Sequence, residues 1–378
     1  MYHREEYGLI TEWDINVGWF DRLEKEYGLF RDYAPKIRCA VAAIGNNPDL
    51  YGKMQTAWLD LSETPAENAA KIAVPETADP RIAPWIRLIL LLPFITPMMN
   101  RYRDHGYSEE EIRVVFHEFY DCIARTAERT GTAGLTDMYF DWVVLFIREF
   151  LFRVLDFRFE LAKYRGNAVY FRSKTNGGNP SYNVLASSGL WHRDGMALGS
   201  ALFEEAEGAF HASLTESLSS WSGNSVESGL VRPGKTTLRK AEWEKVLGYG
   251  DPVLKIHIDP GADITAGHVA QAAGEAVRIA KERFGHISGI LCESWLLDPV
   301  YREVLGDDSR IAKFGEQFIR FPQLSNGLEI MNFVFEAELE ELPHLPADTR
   351  LTRALKELYL AGGRTHAFEG MYAPGHPV

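Results

Sequence analysis

Hydrophobic positions recur at helical spacing through the first 154 residues and alternate like strands after about residue 155. Val17, Phe20, Leu23 and Tyr27 share one face and predict a helix over 16–27. A second helix is expected over 48–61, and Thr64 with Glu67 has the spacing of a capping box for a third. The apolar stretch 79–100 carries prolines at 80, 84, 93 and 97. Pro80 and Pro84 suit a helix start, whereas Pro93 must kink or end the helix. Ser108 followed by Glu111 is a further capping box, opening a helix to about Thr130 that stops at Gly131. Its apolar face is Ile112, Val115, Phe116, Phe119, Ile123 and Ala127. A last helix is expected over 136–154.

The period then changes. Phe157, Phe159 and Leu161 alternate with Arg158 and Glu160, as in a half-buried strand. Residues 167–173 and 183–190 also read as strands, with Asn176 to Pro180 as a loop between them. The Ser- and Gly-rich run 213–233 reads as an irregular excursion, 236–246 as a short helix, 311–321 and 329–336 as strands, and 349–360 as a helix before a terminal loop. The most regular stretch is 253–299. An apolar strand runs into Asp259-Pro260-Gly261, and a helix follows over 265–284 with Val269, Ala272, Ala273, Ala276 and Ala280 on one face. A second strand follows from Ile287 to Leu296, and a helix from Asp298 to Leu305. Strand, helix, strand in that order is a βαβ unit, whose two strands are normally parallel. The fold class expected is therefore α+β: an all-helical domain over 1–154, then a mixed-sheet domain over 155–378.

Composition narrows the function. Hydrophobic residues are 46% and charged residues 25% of the 378, as in ordinary globular proteins. The formal charge of −13 opposes nucleic-acid binding, which needs a basic face to displace counterions. No signal peptide is read at the N-terminus, and the apolar runs 88–92 and 138–152 are too short or too charged for a span, so no membrane partner is expected. Cys39, Cys122 and Cys292 have no CxxC spacing, which suggests reduced thiols and a cytoplasmic setting. Cys39 and Cys122 are expected in the core.

Three side chains near the βαβ unit carry chemistry. Glu293, at the end of the second strand, is a candidate general base. Cys292 is a candidate nucleophile only with a base beside it, and His257 on the neighbouring strand is the nearest one. Two His-x-Asp pairs, His257–Asp259 and His192–Asp194, raise a non-haem Fe(II) oxygenase as an alternative. That chemistry would require an eight-stranded double-stranded β-helix, which the crossover helix opposes. Arg193-Asp194-Gly195 reads better as a hairpin turn, and no metal is expected.

The strings Val253-Leu-Lys-Ile-His-Ile-Asp-Pro-Gly261, Ser294-Trp-Leu-Leu-Asp-Pro299 and Asp307-Asp-Ser-Arg-Ile-Ala-Lys-Phe314 resemble a bacterial family of N-acyltransferases. Leu92-Pro93, Gly131-Thr-Ala-Gly-Leu135 and Phe157-Arg-Phe-Glu160 extend the resemblance over most of the chain. That family joins a helical N-terminal domain to a GNAT-like C-terminal domain. The resemblance implies acyl transfer from acyl-CoA or acetyl-CoA, as co-substrate, to an amine on a small molecule or peptide. It also implies a pyrophosphate site at the start of the 265–284 helix, formed by Asp259, Pro260, Gly261, Thr265 and Gly267. Tyr301 occupies the place where such enzymes keep a proton donor for the leaving thiolate.

The chain departs from the pattern in two ways. The Gln/Arg-x-x-Gly-x-Gly/Ala signature is absent, and Asp259 and Asp263 would repel a pyrophosphate. The same loop also reads as a plain strand-to-helix turn with Asp263 or Thr265 as N-cap. A GNAT-like protein that binds a ligand or partner without catalysis is the alternative.

Overall fold

The computed structural model describes residues 13–63, 72–174 and 181–375. The Thr64–Glu67 capping box and the loop at 176–180 lie outside the described residues. The chain divides into two compact units, Met1–Phe152 and Arg153–Val378.

The first unit is helical: α1 (Val17–Tyr27), α2 (Ala34–Gly45), α3 (Pro48–Glu63), α4 (Ile86–Leu91), α5 (Ile95–Asp104), α6 (Glu109–Thr130) and α7 (Asp137–Ile147). The caps explain its boundaries. Asn16 accepts from Trp19 N, and Gly28 ends α1 at φ 60°. Ser108 and Glu111 form the reciprocal capping box of α6, and Gly131 closes it at φ 72°. Pro93 sits in a 3₁₀ turn (Leu92–Phe94) that joins α4 to α5, where its missing N–H is tolerated. The continuous stretch Ala83–Asp104 is long and apolar enough to cross a membrane by length and composition, with mean hydropathy 1.3, and 61% of that window is buried in the unit. Leu88, Leu90 and Leu92 belong to the core that the helices share. Helix α7 stops at Ile147, not near 154, because Glu149 turns the chain at φ 58° and the next residues form a strand. Cys122 is buried as expected, whereas Cys39 is exposed on the outer side of α2.

Among the described residues fourteen strands follow, the first of which straddles the boundary at residue 152. β1 (Leu151–Val154), β2 (Phe157–Lys163), β3 (Ala168–Ser173), β4 (Tyr182–Ala186), β5 (Leu190–Trp191), β6 (Phe210–His211), β7 (Leu214–Glu216), β8 (Ser220–Glu227), β9 (Leu230–Arg239), β10 (Trp243–Leu247) and β11 (Pro252–Ile258) precede α8 (Ala266–Phe284). Then come β12 (Gly289–Ser294), α9 (Val300–Leu305), α10 (Arg310–Gly315), β13 (Phe318–Pro322), α11 (Arg350–Leu360) and β14 (Phe368–Tyr372). One sheet has the order β1-β2-β11-β12-β14-β13. A second has the order β10-β3-β4-β8-β7, with β9 on β8. In the first sheet β11 and β12 are parallel and connected by α8, while β11–β2, β12–β14 and β13–β14 are antiparallel. Its buried alanines, Ala272, Ala273, Ala276 and Ala280, let the helix lie close to the sheet.

Several sequence expectations are corrected. Residues 213–233 are not an irregular excursion but the antiparallel strands β7, β8 and the start of β9. Ser217, Ser219, Ser220 and Ser222 stay exposed or half-buried, while Trp221, Ser225 and Val231 are buried. Ser228 (φ 51°) and Gly229 (φ 80°) make the two-residue turn between Glu227 and Leu230. Residues 236–239 and 243–246 are the end of β9 and the start of β10, joined by a turn at 240–242, and not a helix. The stretch 311–321 is split, because Ser309 caps α10 before β13 begins. Met331–Phe335 is a helical turn, not a strand, and Ile330 and Met331 pack on α9 and α11. The terminal segment, read as loop, supplies β14 between β12 and β13. Four of its five residues are buried, so it lacks the polar alternation that marks a half-exposed strand.

Candidate functional site

The parallel ladder of β11 and β12 is short. It pairs Val253 with Gly289, Leu254 with Ile290 and Lys255 with Leu291, and then stops. Both strands run three residues further, to Ile258 and Ser294. Each extension is held from its outer side. Residues 256–258 pair with 159–157 of β2, and 292–294 pair with 370–368 of β14. The sheet therefore opens between two strand edges, and backbone groups facing such a gap are available to an amide-bearing ligand.

Strand alternation sets one row of polar side chains across this opening. Lys255 and His257 of β11 share a face with Glu293 of β12, with Glu160 of β2 opposite Lys255 and with Glu369 of β14 opposite Glu293. The contacts follow the row. His257 Nε2 lies 2.9 Å from Glu160 Oε2, and Lys255 Nζ lies 2.9 Å from Glu293 Oε1. Tyr164 Oη and Tyr170 Oη donate to Glu369 Oε1 at 2.6 and 3.0 Å. Exposure falls along it: the side chains of Glu293 and His257 are 36% and 35% exposed, whereas Glu369 is 1% exposed. Burial pushes the Glu369 carboxyl up to about 7, with the charge of Glu293 acting in the same sense and the two tyrosine hydroxyls opposing it.

The loop after β11 is braced by the turn between β1 and β2. Leu155 adopts φ 53° there, and Asp156 Oδ2 accepts from Asp263 N at 3.3 Å and lies 2.9 Å from His268 Nε2. Asp259 is ion-paired with the buried Arg158, and Arg153 is 3.8 Å away. Asp263 Oδ1 accepts from Thr265 N at 3.0 Å, and that backbone bond holds its carboxyl below the usual range. Thr265 is the N-cap of the 19-residue α8, but its side chain makes no capping bond, and there is open space around Gly267. The fold thus brings Asp259, Pro260, Gly261, Thr265 and Gly267 to one helix start, with the repulsion expected from Asp259 offset by Arg158.

The four chemistry-bearing residues separate. Glu293 and His257 reach the opening. Cys292 alternates to the other face, is 1% exposed, and burial pushes its thiol well up. His257 is engaged with Glu160. Tyr301 is 0% exposed on α9, and burial raises its pKa well above the ordinary value, with the Thr365 side chain beside its hydroxyl acting in the opposite sense. His192 and Asp194 form the expected turn, with Gly195 N donating to His192 O at 2.8 Å. Among the described residues no group of three His, Cys, Asp or Glu side chains could hold a metal ion. Sequence reasoning missed Glu160, Lys255, Tyr164, Tyr170 and Glu369. The first two were open to it, since alternation places them beside His257. The other three depend on β14, which was not recognised.

The family model described as GNAT-like C-terminal domain matches residues 155–372, well over half of the chain. The chain belongs to that family. No curated protein matches it in sequence. Among solved structures, an acyltransferase in complex with decanoyl-CoA and teicoplanin is similar at 14% identity, covering 97% of this chain and 91% of that one, with a TM-score of 0.60. An acyltransferase in complex with decanoyl-CoA is similar at 16% identity, covering 94% and 86%, with a TM-score of 0.57. A mutant acyltransferase in complex with octanoyl-CoA is similar at 14% identity, covering 97% and 91%, with a TM-score of 0.59. At such identities the likeness speaks for the fold. In this GNAT-like member the opened β11–β12 pair and the start of α8 lie within the matched segment.

Proposed function

We propose that this protein is an N-acyltransferase that moves an acyl group from an acyl-CoA to an amine on a small molecule or peptide. The observation that carries the reading is the sheet opening between β11 and β12 followed by the uncapped start of α8. Backbone edges of the opening suit the amides of the CoA pantetheine arm. Unpaired amides and the dipole at a helix start suit its pyrophosphate, by about 0.3–1 kcal/mol at an exposed site. Arg158 pairs with Asp259 and removes one of the two repulsions, leaving that of Asp263, and the acyl-CoA complexes of the similar structures support the reading.

The chemistry assigned to the polar row is direct transfer. The amine nitrogen attacks the thioester carbonyl carbon, the C–S bond breaks, and CoA leaves as thiolate, which takes a proton from water. The amine's proton passes to Glu293 or to the Glu160-held His257, the two half-exposed bases of the row. Cys292 and Tyr301 are assigned packing roles in this scheme, since both are enclosed. A cytoplasmic setting in a bacterial cell fits the scheme, because the acyl-CoA pool is there and the three thiols stay reduced.

The test is thermal shift with acetyl-, octanoyl- and decanoyl-CoA, followed by turnover of the responding thioester. Ligand at about 100 times its dissociation constant should add about 2.7 kcal/mol of stability. No shift with any of them sinks the reading. A shift without turnover on any amine would favour the non-catalytic alternative, which the missing glycine signature supports. If the assignment of the base is right, Glu293→Gln or His257→Asn lowers kcat by about 10²–10⁴-fold with stability intact.

A further inference from the structure

Helices α9 and α10, strand β13 and the tip of the β8–β9 turn enclose a cavity of about 190 Å³. Most charges on its wall are already matched. Asp298 Oδ1 accepts from Val300 N at 2.9 Å, and its Oδ2 accepts from His366 N at 2.6 Å with His366 Nδ1 3.6 Å away. Glu316 is ion-paired with Arg302, which also holds Asp307 at 2.9 Å. Arg320 is different. Its Nε donates to Gly315 O at 3.2 Å, and among the described residues no carboxylate lies within ion-pair distance of its guanidinium. Burial, and then the charge of Arg302, pull its pKa down, while the more distant charges of Asp298 and Glu316 act in the opposite sense. A partly buried guanidinium with no carboxylate in direct contact keeps donors that an entering anion can engage.

We propose that this cavity is a binding site for a small monocarboxylate, anchored by Arg320. The planar guanidinium fork matches a carboxylate with two parallel hydrogen bonds. Pro299, Ile311 and Ala312 line the same space and suit a short alkyl chain. The carboxylates of Asp298 and Glu316 beside it disfavour a dianion such as phosphate. The site is distinct from the β11–β12 opening and stands independently of the acyl-transfer reading.

The experiment is thermal shift of the full chain titrated with sodium butyrate, against sodium chloride and inorganic phosphate at matched ionic strength. The expected result is a saturable rise with butyrate beyond either control. In Arg320→Gln the half-saturating concentration should increase by about tenfold or more, the scale of one lost charged hydrogen bond. Ser228→Asp, at an exposed turn with φ 51° that Asp tolerates, puts a negative charge at the rim and should weaken butyrate similarly. A butyrate response no larger than that of chloride or phosphate overturns the proposal, and so does an unchanged half-saturation in the variants. If Arg320→Gln does not fold, Ser228→Asp decides alone.

Discussion

Glu369→Gln isolates the buried end of the polar row. In the folded chain the Glu369 carboxyl titrates near 7, against 4.5 for an ordinary glutamate, because burial penalises its charged form. The folded state therefore holds this proton more tightly than the unfolded chain does. Its contribution to stability is complete below about pH 4.5 and is lost as the pH rises through about 7. The 2.5-unit difference corresponds to roughly 3 kcal/mol at the limits, of which roughly 2.5 kcal/mol falls between about pH 5 and about pH 8. Glutamine keeps an oxygen able to accept from Tyr164 and Tyr170 but cannot ionise. Any misfit of its amide adds an offset of about 1 kcal/mol that does not depend on pH. The assay is hydrogen exchange of the β14 and β12 amides at both pH values, corrected for intrinsic rates, since opening β14 exposes residue 369. The wild type should lose protection relative to Glu369→Gln as the pH rises, by roughly 2.5 kcal/mol. Parallel protection profiles for the two proteins would refute the raised carboxyl and the proton stored behind Glu293.

Three further substitutions test the fold and the roles of its residues. A Cβ on Gly370 would stand 2.7 Å from Phe318 Cβ and 2.8 Å from Leu297 Cδ1, so Gly370→Ala should cost about 1–3 kcal/mol in urea denaturation; an unchanged midpoint would contradict that packing. Tyr301→Phe removes a buried hydroxyl whose neighbour is the Thr365 side chain, so stability should change by no more than about 1 kcal/mol and acyl transfer should persist; a large drop in kcat would make Tyr301 the thiolate's proton donor after all. Ser108→Ala breaks the α6 capping box and should lower stability by about 1 kcal/mol with turnover unchanged, read by thermal denaturation and by rate.

Legibility followed the range of the interactions. The cap at Ser108 and the stop at Gly131 are local, and the sequence placed them because the partners are within four residues. The 265–284 helix was equally clear, because its buried alanines repeat at helical spacing. Segments whose state depends on distant partners were misread. The serine-rich run became strands because β8 found β4 and β9, and residues 368–372 became a strand because β12 and β13 left a place between them. The same division runs through the site. His257 and Glu293 were legible from their positions at strand ends. Cys292 was legible as a residue but not as an enclosed one.

By itself the sequence determined that a helical unit precedes a strand-rich one and that a strand, a helix and a second strand form its centre. Spacing and capping suffice for that, since both act through neighbours in the chain. Tertiary structure decided what stands at the sheet opening. The ladder of β11 and β12 ends at Lys255 and Leu291, and β14 carries Glu369 beside Glu293 across 76 residues of sequence. The proton affinity of Glu369 depends first on its burial and then on Tyr164, Glu293 and Tyr170, and no local pattern of residues encodes that surrounding.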